Sequence, residues 1–508
     1  MKLNKKKLNQ ILVISSAVMM IITLIFVVVL LSLGFSGKLA SNDNSEDGGN
    51  KNQGAISATE IAGNTGKPSS SATEKPTDVP GTPEPVTYSE ITLLGAGDLM
   101  VYGGQVDSAK RYGGGTCDFS ESTKYLLDII GEHDYAALNF EATVSEGNYK
   151  YYPTFHVPDQ ILDTVKASGF DMVLFANNHT YDNGRYGLLR TQEQIAARGL
   201  PCIGTRQDTE SKSYAIKDVN GVKLGMLNYT YEAPPAAEKE STTEKFLNGI
   251  RLEKYCPQCK YCVENSEITG DGKHTSCGAE IIFARDLVDS FNPNLLDRFY
   301  TEIAARIDEM KKDGADFIVV YLHWGYEYQD YPNTMQKEIS QKLCDMGVDL
   351  LVGGHPHVVQ PVATYTSADG ENKMLCYYSL GNFISGQNRA VVSADQQAKY
   401  ILTENGLLSS VTIRKYSTGE TVISNADYVP TWMHRHSVDG RVVFNVVPLE
   451  KALASDQAKE AYGLNESSFG VKHATAALEY LKGLVQPGID EFNKAIVLPH
   501  PEAISAEK

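Results

Sequence analysis

Residues 348–357 read Val348-Asp349-Leu350-Leu351-Val352-Gly353-Gly354-His355-Pro356-His357. An apolar run of strand length ends on two glycines and then on two histidines separated by one proline. A tight turn at the glycines lets both imidazoles face one ion, and packing explains two histidines there poorly. The same arrangement recurs upstream. Residues 91–97 lead to Asp98, 135–138 to Asn139 and Glu141, 172–176 to Asn177-Asn178-His179, and 317–322 to His323. Each apolar run ends in a residue able to bind metal.

Between these runs lie helical patterns. Leu296, Phe299, Ile303, Ile307 and Met310 recur at spacings of three and four, as do Ile339, Leu343 and Met346. Ile161, Leu162 and Val165 repeat this over a shorter span, and Gly169, Gly199, Gly314 and Gly347 stand where helix stops are expected. Strands alternating with helices predict an α/β fold with largely parallel strands, in which ligands gather beyond the carboxyl ends of the strands. Singly, each residue has a plainer reading: His323 as a hydrogen-bonded core histidine, Asn177 and Asn178 as helix caps, Asp98 as a turn residue. Strand ends that converge by topology predict a site. Carboxylate, amide oxygen and imidazole suit Zn, Mn, Fe or Ni without a thiolate. Two ions about 3.5–4 Å apart can activate water at neutral pH and clamp a phosphoryl group.

The chain has 508 residues, with Lys+Arg 46 against Asp+Glu 63 and a formal net charge of −17. That balance argues against nucleic acid or an anionic membrane surface as a general partner. A hydrophobic fraction of 42% excludes wholesale disorder, and eight cysteines are too few for a disulfide-dense scaffold. Residues 11–35 are uncharged and mostly apolar; as a helix they would reach about 37 Å, beyond the roughly 30 Å hydrocarbon core. Lys2, Lys5, Lys6 and Lys7 precede them and only Lys38 follows closely, which places the N-terminus in the cytoplasm. The run is long for a cleaved signal peptide, the rival reading. The expected layout is a cytoplasmic tail (1–10), a transmembrane signal-anchor (11–35), a disordered linker (36–90), a folded domain (91–450) with a Cys-rich insertion (251–286), and a C-terminal helical extension and tail (451–508). The main domain would then be extracytoplasmic, at the cell membrane.

The stretches GAGDLM (95–100), LNFEATVS (138–145), NNHTYDNG (177–184), HWGYEY (323–328), GGHPHVVQP (353–361), SLGNF (379–383) and YVPTW (428–432) resemble, in order, the motifs of the bacterial capsule-synthesis CapA family. That family, also called the PGA-cap or poly-γ-glutamate capsule domain, is similar to the calcineurin-like metallophosphoesterases. The resemblance implies a metallophosphoesterase-like αββα sandwich and divalent metal (Mn, Fe or Zn) held by Asp98, Glu141, Asn178, His323, His355 and His357. It implies His179 as the catalytic residue, protonating the leaving group or steadying transition-state charge. It also implies a part in making, exporting or anchoring an anionic capsule polymer such as poly-γ-glutamate. The partners would be membrane polymer synthase or export subunits, and the substrate an anionic polymer or phosphoester. Two positions depart from the superfamily. Its opening D-x-H reads Asp98-Leu99-Met100, and Glu141 stands where Asp is usual. Three functions stay open: a metal-dependent phosphoesterase-like hydrolase, a metal-binding scaffold subunit of a polymer synthase, and a general extracellular metallophosphatase. Tyr326, Glu327, Asp182 and Arg185 flank the motifs and are open between a substrate rim and local packing.

Cys256-Pro257-Gln258-Cys259 and His274-Thr275-Ser276-Cys277 resemble a pair of zinc-ribbon knuckles. Cys256, Cys259, His274 and Cys277 would close a structural zinc site, with Cys262 an alternative to His274 and disulfides the competing reading. Cys117, Cys202, Cys344 and Cys376 read as core thiols. Residues 441–447 predict a strand, 474–484 a helix, and Pro499-His500-Pro501 an unstructured end. His434 and His436 read as surface residues.

Overall fold

Strand β1, Thr87–Leu99, carries the apolar run that ends at Asp98, and it begins inside the span expected to be linker. The computed structural model describes residues 84–231, 246–250, 296–389, 400–466 and 469–506, with isolated positions between 254 and 283. The apolar run 11–35 lies outside them, as does the linker up to residue 83. Among the described residues no helix is long and apolar enough to cross a membrane. Residues Thr82–Lys508 form one unit.

The strands follow in chain order as β2 (Tyr135–Phe140), β3 (Thr143–Ser145), β4 (His156–Pro158), β5 (Met172–Leu174), β6 (Cys202–Ile203), β7 (Tyr214–Val219) and β8 (Val222–Thr230). Next come β9 (Lys254–Cys256), β10 (Tyr261–Cys262), β11 (Ile282–Phe283), β12 (Phe317–His323), β13 (Leu350–Gly354), β14 (Val362–Thr366) and β15 (Lys373–Tyr377). The last are β16 (Asn382–Ile384), β17 (Asn405–Tyr416), β18 (Thr421–Val438), β19 (Arg441–Pro448) and β20 (Ile504–Ser505). The helices are α1 (Gly103–Tyr112), α2 (Leu127–Gly131), α3 (Gln160–Ala167), α4 (Gly184–Ala197), α5 (Asp297–Lys312), α6 (Thr334–Asp345), α7 (Leu449–Leu453), α8 (Asp456–Ala461) and α9 (Gly470–Lys494).

Among the described residues, two large sheets dominate. One orders β19-β18-β17-β1-β2-β5-β6, with β16 and β20 also on β1; the other orders β14-β15-β13-β12-β8-β7. The expectation of largely parallel strands holds for β1-β2-β5-β6 and for β15-β13-β12-β8. It fails for β17, β18 and β19, an antiparallel ribbon laid along β1. The link from β18 to β19 is a tight turn through Asp439 and Gly440, both at positive φ, and such a turn joins only antiparallel strands.

Alternation along the strands sorts the core into layers. Ile91, Leu93, Tyr135 and Ala137 of one sheet pack with Leu224, Met226, Phe317, Val319, Leu350 and Val352 of the other. The alternate residues Leu94, Ala96, Ala136 and Leu138 lie under Val106 of α1, Ile161 and Val165 of α3, and Leu188 and Ile195 of α4. Ile318, Val320, Leu322 and Leu351 lie under Phe299, Ile303 and Ile307 of α5 and Ile339 and Leu343 of α6. The layers therefore run helix, sheet, sheet, helix. Gly169, Gly199, Gly314 and Gly347 close their helices at φ +97°, +68°, +88° and +83°, values that cost glycine little.

Three expectations about the C-terminal part need correction. The helix is longer than residues 474–484, and Ala474, Ala477, Leu481, Val485, Ile489 and Phe492 of α9 enter the core between the sheets. The chain end is not unstructured: β20 pairs in parallel with Thr87 and Tyr88 of β1. His434 and His436 are buried, not superficial. They alternate on one face of β18 and stack at 4.1 Å between ring centroids, with Trp432 beside His434. In the insertion, β10 and β11 pair antiparallel with β9, and Cys256 stands opposite Tyr261. Cys259, His274 and the side chain of Cys256 lie outside the described residues, and so does the zinc-or-disulfide reading.

Candidate metal centre

Five strand ends meet at one place. Asp98 is the penultimate residue of β1, Glu141 follows β2, Asn177-Asn178-His179 follow β5, His323 ends β12, and His355 and His357 follow β13. The first three come from one sheet and the last two from the other. The turn after β13 is backbone-strained: His355 and His357 hold φ at +94° and +57°, which costs a non-glycine residue about 1–3 kcal/mol. The strain brings the two ring centroids within 5.9 Å. Asp98 Oδ2 accepts the His355 backbone N–H at 3.0 Å and lies 3.2 Å from His357 Nδ1. Gly354 permits this approach, since a Cβ there would stand 2.6 Å from Asp98 Oδ1.

Glu141 sits at the middle, fully buried. Its Oε1 is 3.5 Å from His323 Nε2 and 3.9 Å from both His179 Nε2 and His357 Nε2. Neither carboxylate oxygen has a hydrogen-bond partner among the described residues. A buried carboxylate without donors costs several kcal/mol, on the order of a charge left without its partner. Atoms of Glu141, His323 and His355 lie within 4.8 Å of one another, and so do atoms of Asp98, Glu141 and His357. Glu141 belongs to both groups, so a cation held by either would meet its carboxylate. The orphaned oxygens and the oxygen–nitrogen donor set fit divalent cations of the Mn, Fe or Zn kind.

The remaining contacts orient this set. Asn139 Nδ2 donates to Asp98 Oδ1 at 2.8 Å and lies 3.2 Å from His323 Nδ1. His323 Nε2 lies 2.9 Å from Asn178 Oδ1 and 3.1 Å from His355 Nδ1. The Tyr231 hydroxyl lies 2.9 Å from His355 Nε2. Burial pushes the Asp98 carboxyl up, but the His357 hydrogen bond and the neighbouring imidazoles outweigh it and hold the group below its usual value. Burial and the surrounding imidazoles hold His355 well below its usual value. For His357, burial acts the same way, yet Glu141 and Asp98 win and carry it up to about 9.

His179 is held by a carboxylate of its own. Its Nδ1 is fixed by Asp182 Oδ2 at 2.7 Å, leaving Nε2 toward Glu141. Phe155 packs edge-on against its ring. Burial lowers its pKa, and Asp182 and Glu141 more than reverse this.

Asp98, Glu141, Asn178, His179, His323, His355 and His357, the residues expected at the strand ends, thus lie in one cluster. Of the flanking four, Asp182 proves to be the partner of His179, while Arg185 rests over the Phe246 ring. In the sequence Asn139 shows only as a strand end able to bind metal, and nothing singles out Tyr231. Tyr231 directly follows β8, one more strand end in the pattern, so its position carried the same signal. Met100, at the lost histidine position, is buried with Leu99, Val101 and Val106.

The sequence matches the family described as bacterial capsule synthesis protein PGA_cap over residues 92–387, more than half of the chain. The chain belongs to that family. The PGA biosynthesis protein CapA of Bacillus subtilis (strain 168) is 27% identical over 333 residues, covering 64% of this chain and 72% of that protein. The capsule biosynthesis protein CapA of Bacillus anthracis is 26% identical over 332 residues, covering 63% and 67%. Among solved structures, the calcineurin-like phosphoesterase YfkN from Bacillus subtilis aligns with 78% of this PGA_cap chain and 99% of its own, at a TM-score of 0.31 and 13% identity. A hypothetical protein from Thermus thermophilus aligns with 67% and 98%, at a TM-score of 0.33 and 12% identity.

Proposed function

We propose that this PGA_cap chain is a membrane-anchored, extracytoplasmic capsule-biosynthesis protein with a metal-dependent, phosphoesterase-like centre acting on an anionic polymer or its phosphoester precursor. Membrane subunits that make or export the polymer are its partners. The single observation that carries the metal-site reading is Glu141, a fully buried carboxylate with neither oxygen hydrogen-bonded among the described residues and three histidines around it. The anchor rests on the apolar residues 11–35 and the lysines before them. The capsule role rests on the family and on the names of its two Bacillus relatives.

Asp98, Glu141, Asn178, His323, His355 and His357 would hold the cations. When bound, such ions supply Lewis-acid activation of a water and neutralise charge on a phosphoryl oxygen. The chain's own residues do the rest. Asn139 holds Asp98 and His323 in register through one amide. Asp182 fixes the ring of His179 and favours its protonated form, so Nε2 can give a proton to a leaving oxygen. The Trp324 and Tyr378 rings, stacked at 6.0 Å, back the turn that carries His355.

The test is hydrolysis of bis-p-nitrophenyl phosphate by the Mn-loaded full-length chain. His179→Ala should lose about 10²–10⁴-fold in kcat while keeping its metal content. Full metal occupancy with no hydrolysis of this probe or of capsule-type phosphoesters favours the second reading, a metal-binding scaffold subunit. Met100 in place of a histidine is the observation on its side.

A further inference from the structure

His355 is turned the opposite way from two of its neighbours in the metal centre. His357 Nδ1 lies 3.2 Å from Asp98 Oδ2, and its Nε2 faces Glu141 at 3.9 Å. His179 repeats this, with Nδ1 on Asp182 at 2.7 Å and Nε2 toward Glu141. In both rings Nδ1 meets a carboxylate and Nε2 faces the middle of the cluster. In His355 it is Nδ1 that lies against the cluster, 3.1 Å from His323 Nε2, which itself lies 3.5 Å from Glu141 Oε1. The outward nitrogen of His355, Nε2, lies 2.9 Å from the hydroxyl of Tyr231.

The fold holds Tyr231 firmly at that nitrogen. Its backbone N–H donates to the carbonyl of His323 at 3.1 Å. The residue before it, Thr230, is in register with His323 across β8 and β12. The phenol ring is buried in the cluster that includes Ile250 and Trp324. It meets the His355 ring edge-on, with 5.1 Å between centroids and 75° between planes. One residue therefore ties the end of β12, which carries His323, to the ring of His355. A neutral imidazole carries one N–H and one lone pair, on different nitrogens. A cation takes only the lone pair, and the hydrogen bond made by the other nitrogen decides which one is offered. With Nδ1 against the cluster, the proton belongs on Nε2, and the Tyr231 oxygen stands there to accept it.

We propose that Tyr231 is a positioning residue whose hydroxyl oxygen accepts the Nε2–H of His355 and so fixes the tautomer that presents Nδ1 to a divalent cation. This role rests on the metal centre proposed above and adds to it a residue outside the candidate ligands. Without the phenol oxygen, the Nε2–H becomes a buried donor with no acceptor, which disfavours the tautomer the cation needs. Removing the partner that orients a metal-binding histidine typically weakens metal affinity by about 10–100-fold. A phenol also differs from the carboxylates beside His357 and His179 in accepting the N–H without adding a negative charge.

The test uses two readouts on the full-length chain, neither of them activity. Nitrogen-15 NMR of the metal-free protein reads which ring nitrogen of His355 carries the proton, with the signal assigned by its loss in His355→Ala. The electron paramagnetic resonance signal of free Mn, followed through a titration, reads Mn affinity. The variant is Tyr231→Phe, which keeps the ring and removes only the oxygen. The expected result is a wild-type proton on Nε2, a Tyr231→Phe chain in which that tautomer no longer dominates, and Mn affinity weaker by about 10–100-fold. A wild-type proton on Nδ1 overturns the assignment, whether or not Tyr231→Phe folds. Mn affinity in folded Tyr231→Phe within twofold of wild type overturns it and leaves the metal centre standing. A wild-type chain that binds no Mn overturns the metal centre and the role of Tyr231 together.

Discussion

Glu141 is the residue on which the site turns. Its carboxylate is desolvated and its nearest nitrogens are 3.5–3.9 Å away, too far for good hydrogen bonds. Glu141→Gln removes the buried charge while keeping the shape. In chelator-treated protein the variant should be more stable than wild type by about 1–3 kcal/mol. Metal at about a hundredfold excess over Kd should then stabilise wild type by about 2.7 kcal/mol and the variant hardly at all. Thermal melts with and without Mn check both halves. Asp349 offers a pH test away from the centre. Burial, only partly offset by the Ile318 N–H and Lys311, carries its pKa from 3.8 to about 7. Because the folded value is raised, the stability tied to this group is complete below about pH 4 and is lost as pH climbs through 7. The residue is partly exposed, so screening trims the effect to about 1–2 kcal/mol. Asp349→Asn should be more stable than wild type by that amount at pH 8 and nearly equal at pH 4, as read by denaturant melts. At this scale the sequence disclosed which residues gather at one place, because each stands at the end of an apolar run. It did not disclose Asn139 as a clamp. An asparagine at a strand end looks the same whether it binds an ion or orients the groups that do.

Elements were legible where one physical signal acted alone. The helices announced themselves by spacing, as α5 shows with Phe299, Ile303, Ile307 and Met310 all buried. The glycine stops after α3, α4, α5 and α6 were equally plain, since only positive φ fits there. The ribbon β17-β18-β19 was missed because pairing direction is set by the connecting turn and not by the strand's own residues. The burial of His434 and His436 was missed for a related reason: α9 is remote in sequence yet packs across β18. That packing gives an element-scale prediction. Leu481→Ala, at a fully buried position of α9, should cost about 2–5 kcal/mol. Deleting residues 503–508 removes a two-residue strand exposed at both positions and should cost less than about 1 kcal/mol. Denaturant midpoints of the two variants give the comparison; a larger loss from the tail deletion would contradict this ranking.

On the scale of the molecule, two sheets of different connectivity point their carboxyl ends at one spot, and each supplies part of the candidate ligand set. Neither sheet alone brings together Asp98, Glu141 and His357, which explains why the motifs are spread over more than half the chain. The most direct test of this arrangement is metal content per chain by mass spectrometry, in wild type and in the His355→Ala/His357→Ala variant, each with and without residues 251–286. One or two ions per chain should survive loss of the insertion and disappear in the double-alanine variant. Equal metal content in the wild-type and double-alanine chains lacking the insertion would contradict it.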